Sequence, residues 1–158
     1  MEECCPPRRE PRAGSCPKCG HAGREVERIT LKALLRSDAL ARLGPEEHLF
    51  CATHECPVVY FQNAEVFRRE DVLVPVFQKE VEGGRTVCYC LEISENQIRR
   101  EIEASGFSSS TDRIKVLVGS GRCACELRNP QGTCCLGNVA AMSVSATSAR
   151  PPDAVCIR

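Results

Sequence analysis

Cysteine pairs are the residues of this sequence whose type and spacing could do chemistry. The chain of 158 residues contains 13 cysteines but only 3 histidines. Cys16 and Cys19 form a C-x-x-C knuckle that is followed by Gly20, and a second pair, Cys51 and Cys56, has four residues between its members. Four thiolates in two short-spaced pairs match a closed tetrahedral zinc site, so we expect these residues to hold a structural zinc ion.

Two histidines are alternative ligands for this first site. His54 lies inside the second cysteine pair, and His21 lies two residues after the first pair. We interpret both as surface histidines, because four thiolates already complete a tetrahedron. The other alternative is a redox pair at Cys16 and Cys19, which would need a thioredoxin-like βαβ context that we do not find in the sequence.

A second set of cysteines occupies the later part of the chain. It comprises Cys88, Cys90, Cys123, Cys125, Cys134 and Cys135. Six thiols exceed what one zinc ion can use, whereas an iron–sulfur cluster takes four cysteine thiolates. Ser94 and Leu136 mark the predicted starts of helices shortly after cysteines of this set. Because helix N-termini stabilise negative charge, the pattern indicates an iron–sulfur site.

Composition separates metal sites from disulfides. Residues 1–14 contain no apolar run, so we expect no signal peptide. No segment approaches the about 18 apolar residues of a membrane span, so we expect no membrane insertion. We therefore expect a cytoplasmic protein, whose thiols stay reduced or bind metal. The odd number of cysteines also disfavours a complete disulfide framework.

The charge balance argues against a nucleic-acid partner, and the absence of catalytic motifs argues against most enzyme activities. Lys+Arg and Asp+Glu are 21 each, so the formal net charge is zero, and we expect no nucleic-acid partner. The sequence has no Ser-His-Asp arrangement, phosphate loop or H-E-x-x-H motif. We expect no enzyme activity beyond one-electron reduction of a metal ion.

Short elements in two halves must position these thiols, and together they predict an α+β fold. Aromatic residues make up only 4% of the chain, so each core is thin and needs a staple such as metal. The first half, residues 15–79, is predicted to be a small zinc-binding, ribbon-like α/β unit. We expect one helix over residues 31–43 with Thr30 as its N-cap, then two strands on either side of a cysteine turn. Another strand is predicted at residues 71–77, with Pro75 at a sheet edge.

The second half, residues 87–143, is predicted to be small and mostly helical, and it follows a linker at residues 80–86. Its first helix is expected over residues 95–105, between an N-cap at Ser94 and a terminating Gly106. The inward-facing residues of this helix are expected to be Ile98 and Ile102.

The rest of the second half is predicted to contain two more short helices, at residues 110–121 and 136–143. The loop between them has a turn at residues 129–132. Residues 1–14 and 144–158 are interpreted as flexible tails. The tails contain three cysteines without an assigned role, Cys4, Cys5 and Cys156.

Several of these segments resemble known metal-binding domains. The segment VCYCLEISENQIRREI resembles the start of bacterioferritin-associated ferredoxin, a small helical [2Fe-2S] domain, although the later cysteines here form C-x-C and C-C rather than C-x-x-C. The segments CPKC, FCATHECPVVYF, VCYC and CELRNPQGTCC together resemble the N-terminal domain of CopZ-type copper chaperones, which joins a zinc-binding half to a [2Fe-2S] half. This second resemblance covers residues 16–140.

The CopZ-type resemblance implies a role for each cysteine of residues 16–135. It assigns zinc to Cys16, Cys19, Cys51 and Cys56. It assigns the [2Fe-2S] cluster to Cys88, Cys90, Cys125 and either Cys135 or Cys134. Cys123 is then an extra thiol. We favour Cys135 as the fourth ligand, because it stands closer to the start of the helix predicted at Leu136, where free N–H groups are available.

The resemblance also implies a function. It predicts a cytoplasmic zinc and iron–sulfur protein for one-electron transfer linked to copper handling, with a redox or metal-handling protein as partner. The alternative is a structural or regulatory module whose cluster senses oxidation or metal stress. The family's chaperones carry a further copper-binding domain with an M-x-C-x-x-C loop. This sequence reaches Arg158 without such a loop, so we expect a weaker role in direct copper delivery.

Overall fold

The computed structural model describes residues 14–148 of the chain. It confirms the predicted α+β class, with an antiparallel sheet and two helices in the first part and a hairpin and four helices in the second. The cysteines Cys4, Cys5 and Cys156 lie outside the described residues, as do residues 1–13 and 149–158 of the predicted tails. Among the residues that the structure describes, no helix is long and apolar enough to span a membrane.

A four-stranded antiparallel sheet in the order β1-β2-β3-β4 organises the first part. The strands are β1 (Arg24–Val26), β2 (His48–Phe50), β3 (Val58–Gln62) and β4 (Glu65–Arg68). Strands β2 and β3 are the two strands predicted around the cysteine turn, whereas β4 was not predicted. It pairs with β3 through a turn at Asn63, whose φ is 50°. Asparagine is among the few residues that tolerate this left-handed conformation.

The two faces of this sheet bury different residues. Val59 and Tyr60 of β3 pack with the apolar residues of the helices, and Val58 and Phe61 pack with the first set of cysteines. The irregular register of β3 between Val58 and Tyr60 explains why neighbouring residues share a face. Strand β3 therefore carries the main core on one side and forms the floor of the cysteine site on the other.

The single helix predicted over residues 31–43 is wrong, because the structure has two helices there. Helix α1 covers Arg28–Leu34, and helix α2 covers Ser37–Ala41. The predicted N-cap Thr30 lies inside α1, and the residue at its N-cap position is Glu27.

The break between α1 and α2 is caused by pairing with a distant segment. Leu35 has extended backbone geometry and forms an isolated β-bridge with Val72, and Arg36 N donates to Asp71 O at 2.8 Å. Because residues 71–72 provide a hydrogen-bond partner for the backbone at Arg36, the chain does not need the hydrogen bonds of a continuous helix there. Tertiary pairing therefore overrides the local helix propensity of the sequence. The strand predicted at residues 71–77 is reduced to this bridge.

The second part begins with a two-stranded hairpin, β5 (Thr86–Cys88) and β6 (Ile93–Ser94). Helix α3 (Glu95–Ser105) confirms the predicted boundaries, because Ser94 Oγ accepts from Gln97 N at 3.2 Å and Gly106 closes the helix with a φ of 84°. Its buried isoleucines are Ile98 and Ile102, as predicted.

Three further helices complete the second part. Helix α4 covers Ser110–Gly119, α5 covers Cys125–Arg128 and α6 covers Leu136–Ser148. Helix α5 lies in the segment predicted to be a loop, and α6 continues past residue 143, where the second half was predicted to end. The predicted turn is present, since Gly132 N donates to Asn129 O at 2.8 Å.

The two parts pack against each other. The buried Tyr60 Oη donates to Pro130 O at 2.7 Å, and a Cβ atom at Gly132 would lie 2.8 Å from Val26 Cγ2. With its φ of 69°, Gly132 therefore both forms the turn and permits close approach of that turn to the first part.

Candidate metal centres

The first candidate centre brings together the four cysteines assigned to zinc. The Sγ atoms of Cys16, Cys19, Cys51 and Cys56 all lie within 4.8 Å of one another. Cys16 Sγ is 3.8 Å from Cys56 Sγ, and Cys19 Sγ is 3.7 Å from Cys51 Sγ. A tetrahedral zinc ion with Zn–S bonds of about 2.3 Å needs sulfur atoms about 3.8 Å apart. The donor set and its spacing therefore fit zinc.

Two loops position these thiols. In the knuckle, Gly20 has a φ of 75° and its N–H donates to Cys16 O at 2.8 Å, so the chain turns around Cys19. Cys51 directly follows β2, and its N–H donates to Val59 O of β3 at 2.9 Å. Each pair is thus anchored by backbone hydrogen bonds, and Cys16, Cys51 and Cys56 are buried.

The thiols of the first centre differ in their electrostatic environment. Thr53 Oγ1 lies 3.5 Å from Cys19 Sγ, and this hydrogen bond is the main reason that the pKa of Cys19 is held at about 5. Burial raises the pKa of Cys56 to about 12 and also raises the pKa of Cys16. A bound cation would offset this burial cost and favour the thiolate form of all four residues.

Both histidines lie outside the group of four thiols. His54 is exposed, with Nδ1 3.0 Å from Gln78 O and Nε2 3.8 Å from Glu55 Oε1. The exposed His21 side chain forms a hydrogen bond with Cys19 that helps to lower the pKa of that thiol.

A buried lysine beside the first centre was not singled out from the sequence. Lys79 Nζ lies 3.6 Å from Cys51 Sγ and donates to Thr53 O at 2.6 Å. Lys79 ends a single 3₁₀ turn, Phe77–Lys79, and no local pattern distinguishes it from a surface lysine.

The second candidate centre contains two thiol pairs contributed by three segments, because Cys88 and Cys90 lie in the same C-x-C segment. Cys90 Sγ lies 3.9 Å from Cys125 Sγ. Cys88 and Cys135 lie in the same buried cluster, and the interaction between their thiols lowers the pKa of Cys88 to about 6 and raises the pKa of Cys135. Three of these residues are buried, whereas Cys90 is half-buried. The structure thus forms two pairs from four of the six cysteines in this set.

Helices and backbone amides surround the second centre. Cys88 ends β5, Cys125 begins α5, and Cys135 directly precedes α6, where Val139 N donates to Cys135 O at 3.0 Å. Ala124 N donates to Cys90 Sγ at 3.4 Å. Amide donors of this kind stabilise thiolate sulfur, so the site suits a negatively charged centre.

The other two cysteines of the set lie beside these pairs. Cys123 and Cys134 are both half-buried, and burial together with the charges of Cys90 and Cys134 raises the pKa of Cys123. A hydrogen bond to its backbone fixes Cys134, because Gln131 Nε2 donates to the Cys134 carbonyl O at 3.2 Å. Of the adjacent pair, Cys135 is the residue that interacts with Cys88.

Comparisons with known proteins show which proteins this chain resembles. Residues 13–73 match a family model described as a zinc binding domain, zf_CopZ. The chain is 30% identical over 121 residues to the curated copper chaperone CopZ of Archaeoglobus fulgidus, an alignment that covers 76% of this chain and 57% of that protein. The chain therefore spans little more than half the length of this relative.

A solved structure supports the same relationship. The X-ray structure of the Archaeoglobus fulgidus CopZ N-terminal domain superposes with a TM-score of 0.68 at 28% identity, covering 82% of this chain and 97% of that one. The four-cysteine group lies within the segment that matches the zinc binding domain. The chain carries a domain of the CopZ N-terminal type, whose first part is a zinc binding domain.

Proposed function

We propose that this chain is a zinc-stabilised iron–sulfur protein for one-electron transfer linked to copper handling. The observation that carries the proposal is the second centre, where the thiol pairs Cys88/Cys135 and Cys90/Cys125 come together from three segments. Two pairs can each bind one iron of a [2Fe-2S] cluster, and such clusters take four cysteine thiolates. The link to copper comes from the similarity to a relative that is named a copper chaperone.

In this proposal the zinc ion is structural. Cys16, Cys19, Cys51 and Cys56 would fill all four positions and leave none open for water, as in closed zinc sites. Their apolar neighbours are few, chiefly Leu49, Val58 and Phe61. The metal therefore replaces the large apolar side chains that this face of the sheet lacks.

In this proposal the second centre holds the [2Fe-2S] cluster, with Cys88, Cys90, Cys125 and Cys135 as ligands. When bound, such a cluster accepts and donates one electron reversibly. The buried Cys88, Cys125 and Cys135 would shield the centre from water. Cys90 is half-buried, so its side of the centre is the one that an electron-transfer partner can approach.

The extra thiols suggest where copper could bind. Cu⁺, the product of one-electron reduction of Cu²⁺, prefers soft thiolate ligands. Cys123 and Cys134 are both partly accessible and lie beside the second centre. The partner in this proposal is a redox or metal-handling protein of the cytoplasm. The ten cysteines of residues 14–148 are all free thiols, which suits a reducing compartment.

The alternative function is a module that senses oxidation or metal stress. It is favoured by the same partial exposure of Cys90, Cys123 and Cys134, because accessible thiols near a metal centre are sites of oxidation. A sensor would lose its cluster on oxidation, whereas an electron carrier would cycle reversibly.

A redox titration under anaerobic conditions separates the two functions. We expect the protein to take up one electron and release it again with full recovery of its visible absorption, and the reduced protein to reduce added Cu²⁺ in the presence of a Cu⁺ chelator. Irreversible bleaching on the first oxidation, without any Cu⁺ formed, would instead support the sensor.

A further inference from the structure

Lys79 is a buried cation that has no carboxylate partner among residues 14–148. Its side chain is 1% exposed. Within residues 14–148, no carboxylate oxygen lies within ion-pair distance of its Nζ atom. Its two neighbours are Thr53 O at 2.6 Å and Cys51 Sγ at 3.6 Å. Because an unpaired buried charge is strongly unfavourable, the Cys51 sulfur is the neighbouring group that can supply the opposite charge.

A zinc ion with four thiolates has the charge that Lys79 needs. Four thiolates and one Zn²⁺ sum to two negative charges, and one nearby ammonium group halves that excess. Lys79 also holds the loop between Cys51 and Cys56 through Thr53 O, while the Thr53 hydroxyl contacts Cys19 Sγ at 3.5 Å. The ammonium group thus contacts a ligand sulfur and fixes the loop that connects two ligands.

The turn that carries Lys79 also contacts two of the three segments of the second centre. Tyr89, between Cys88 and Cys90, accepts from Phe77 N at 3.0 Å through its hydroxyl oxygen. Gln78 Nε2 donates to Gln131 Oε1 at 2.5 Å, and Gln131 Nε2 in turn donates to the carbonyl oxygen of Cys134. Phe77–Lys79 is therefore a direct connection of three residues between the two centres.

We infer that Lys79 is the counter-charge of the zinc centre and the positioning residue that couples zinc occupancy to the order of the second centre. The inference rests on the proposed assignment of zinc to the four-cysteine group. When zinc is bound, the thiolate charge holds Lys79 in its buried position, and the adjacent turn keeps Tyr89 and Gln131 in place. Removal of zinc releases the four ligand residues and the loop between Cys51 and Cys56 that Lys79 holds, so the turn and its contacts with the second centre loosen.

The test is the substitution Lys79→Met in the full chain, with Lys32→Met on the exposed face of α1 as its control. Zinc affinity is measured by competition with a chromophoric chelator. We expect Lys79→Met to bind zinc about 10- to 100-fold more weakly, as for loss of other groups that support metal ligands. Lys32→Met and the charge-conserving Lys79→Arg should stay close to the parent. If Lys79→Met does not fold without added metal, the zinc concentration that restores its far-UV circular dichroism gives the same comparison.

Hydrogen exchange tests the coupling separately. In the parent, chelating zinc should speed amide exchange in residues 87–93 and 129–135. In Gln78→Ala, zinc affinity should be kept but this response should shrink, because the bond to Gln131 is lost. A Lys79→Met protein with parental zinc affinity would overturn the inference. Amide exchange in residues 87–93 and 129–135 that does not change when zinc is removed would also overturn it. A parent that binds no zinc would overturn the zinc assignment itself.

Discussion

Arg85 and Glu95 form a buried bidentate ion pair across the start of the second part. Arg85 Nη2 lies 2.7 Å from Glu95 Oε1, and Arg85 Nε lies 2.9 Å from Glu95 Oε2. Gly83 N also donates to Glu95 Oε2 at 2.9 Å. The segment predicted as a linker, residues 80–86, is therefore fixed to the first turn of α3 rather than acting as a free tether.

Glu95→Gln should destabilise the second part. The hydrogen bonds from Arg85 hold the pKa of Glu95 at about 2, below its ordinary value of 4.5. This lowered pKa corresponds to about 3 kcal/mol of folding free energy at neutral pH. Urea unfolding should show a loss of this size in Glu95→Gln, and almost none in Glu103→Gln, whose side chain is exposed on the same helix.

The pH dependence of this difference follows from the direction of the pKa shift. A carboxylate whose pKa is lowered by folding contributes its full stability above its unfolded pKa and loses it as the pH falls toward the folded pKa. The difference between parent and Glu95→Gln should thus be constant from about pH 6 to 8 and shrink only below about pH 4.5. A difference that changes between pH 6 and 8 would show that another group is responsible.

Cys16→Ser should unfold the first part of the chain. Binding of a structural zinc ion contributes on the order of 10 kcal/mol to folding, and a hydroxyl is a poor substitute for the buried thiolate. Thermal unfolding followed by circular dichroism should show loss of the transition, together with loss of zinc. Ser15→Ala, beside the same knuckle, is the control. A Cys16→Ser melting curve equal to that of the parent would rule out a structural zinc at this position.

Cys134→Ser and Cys135→Ser should behave unequally. Cys135 is buried and interacts with Cys88, whereas Cys134 is half-buried. Adjacent residues at the start of a helix point about 100° apart, so only one of them can face the other ligands. The visible spectrum should be lost in Cys135→Ser and kept in Cys134→Ser. Equal loss, or no loss in either variant, would indicate that the two thiols substitute for each other or that Cys123 provides the ligand.

A fragment containing residues 85–148 should still bind a cluster, but less stably than the whole chain. All four proposed ligands and the core around Ile98 and Ile102 lie within it. It lacks the bond from Tyr60 to Pro130 O, and the contacts of Phe77 and Gln78. Reconstitution with iron and sulfide under argon should give a coloured protein that bleaches faster in air. A colourless fragment would mean that the two parts share the site.

Local signals explain what the sequence allowed us to predict. The boundaries of α3 were predictable because Ser94 and Gly106 are adjacent to the helix that they delimit. Strands β2 and β3 were predictable because short runs of apolar residues flank the cysteine turn. Strand β4 was missed, although Asn63 between two apolar segments is a turn signal.

Features that depend on distant partners were not predictable in the same way. The break after Leu34 exists because Leu35 pairs with Val72, and no residue near Leu35 indicates it. The burial of Lys79 likewise depends on Cys51, which is 28 residues away in sequence. For the candidate centres, spacing was sufficient to group the thiols, but the proximity of Cys135 to Cys88 required the fold.

The most direct test is the metal and acid-labile sulfide content of the full chain after anaerobic purification, read together with its visible spectrum. Two closed cysteine centres predict about one zinc, two iron and two sulfide per chain. They also predict visible absorption that Cys88→Ser removes without loss of zinc. A colourless protein with two zinc ions and no sulfide would contradict an iron–sulfur function.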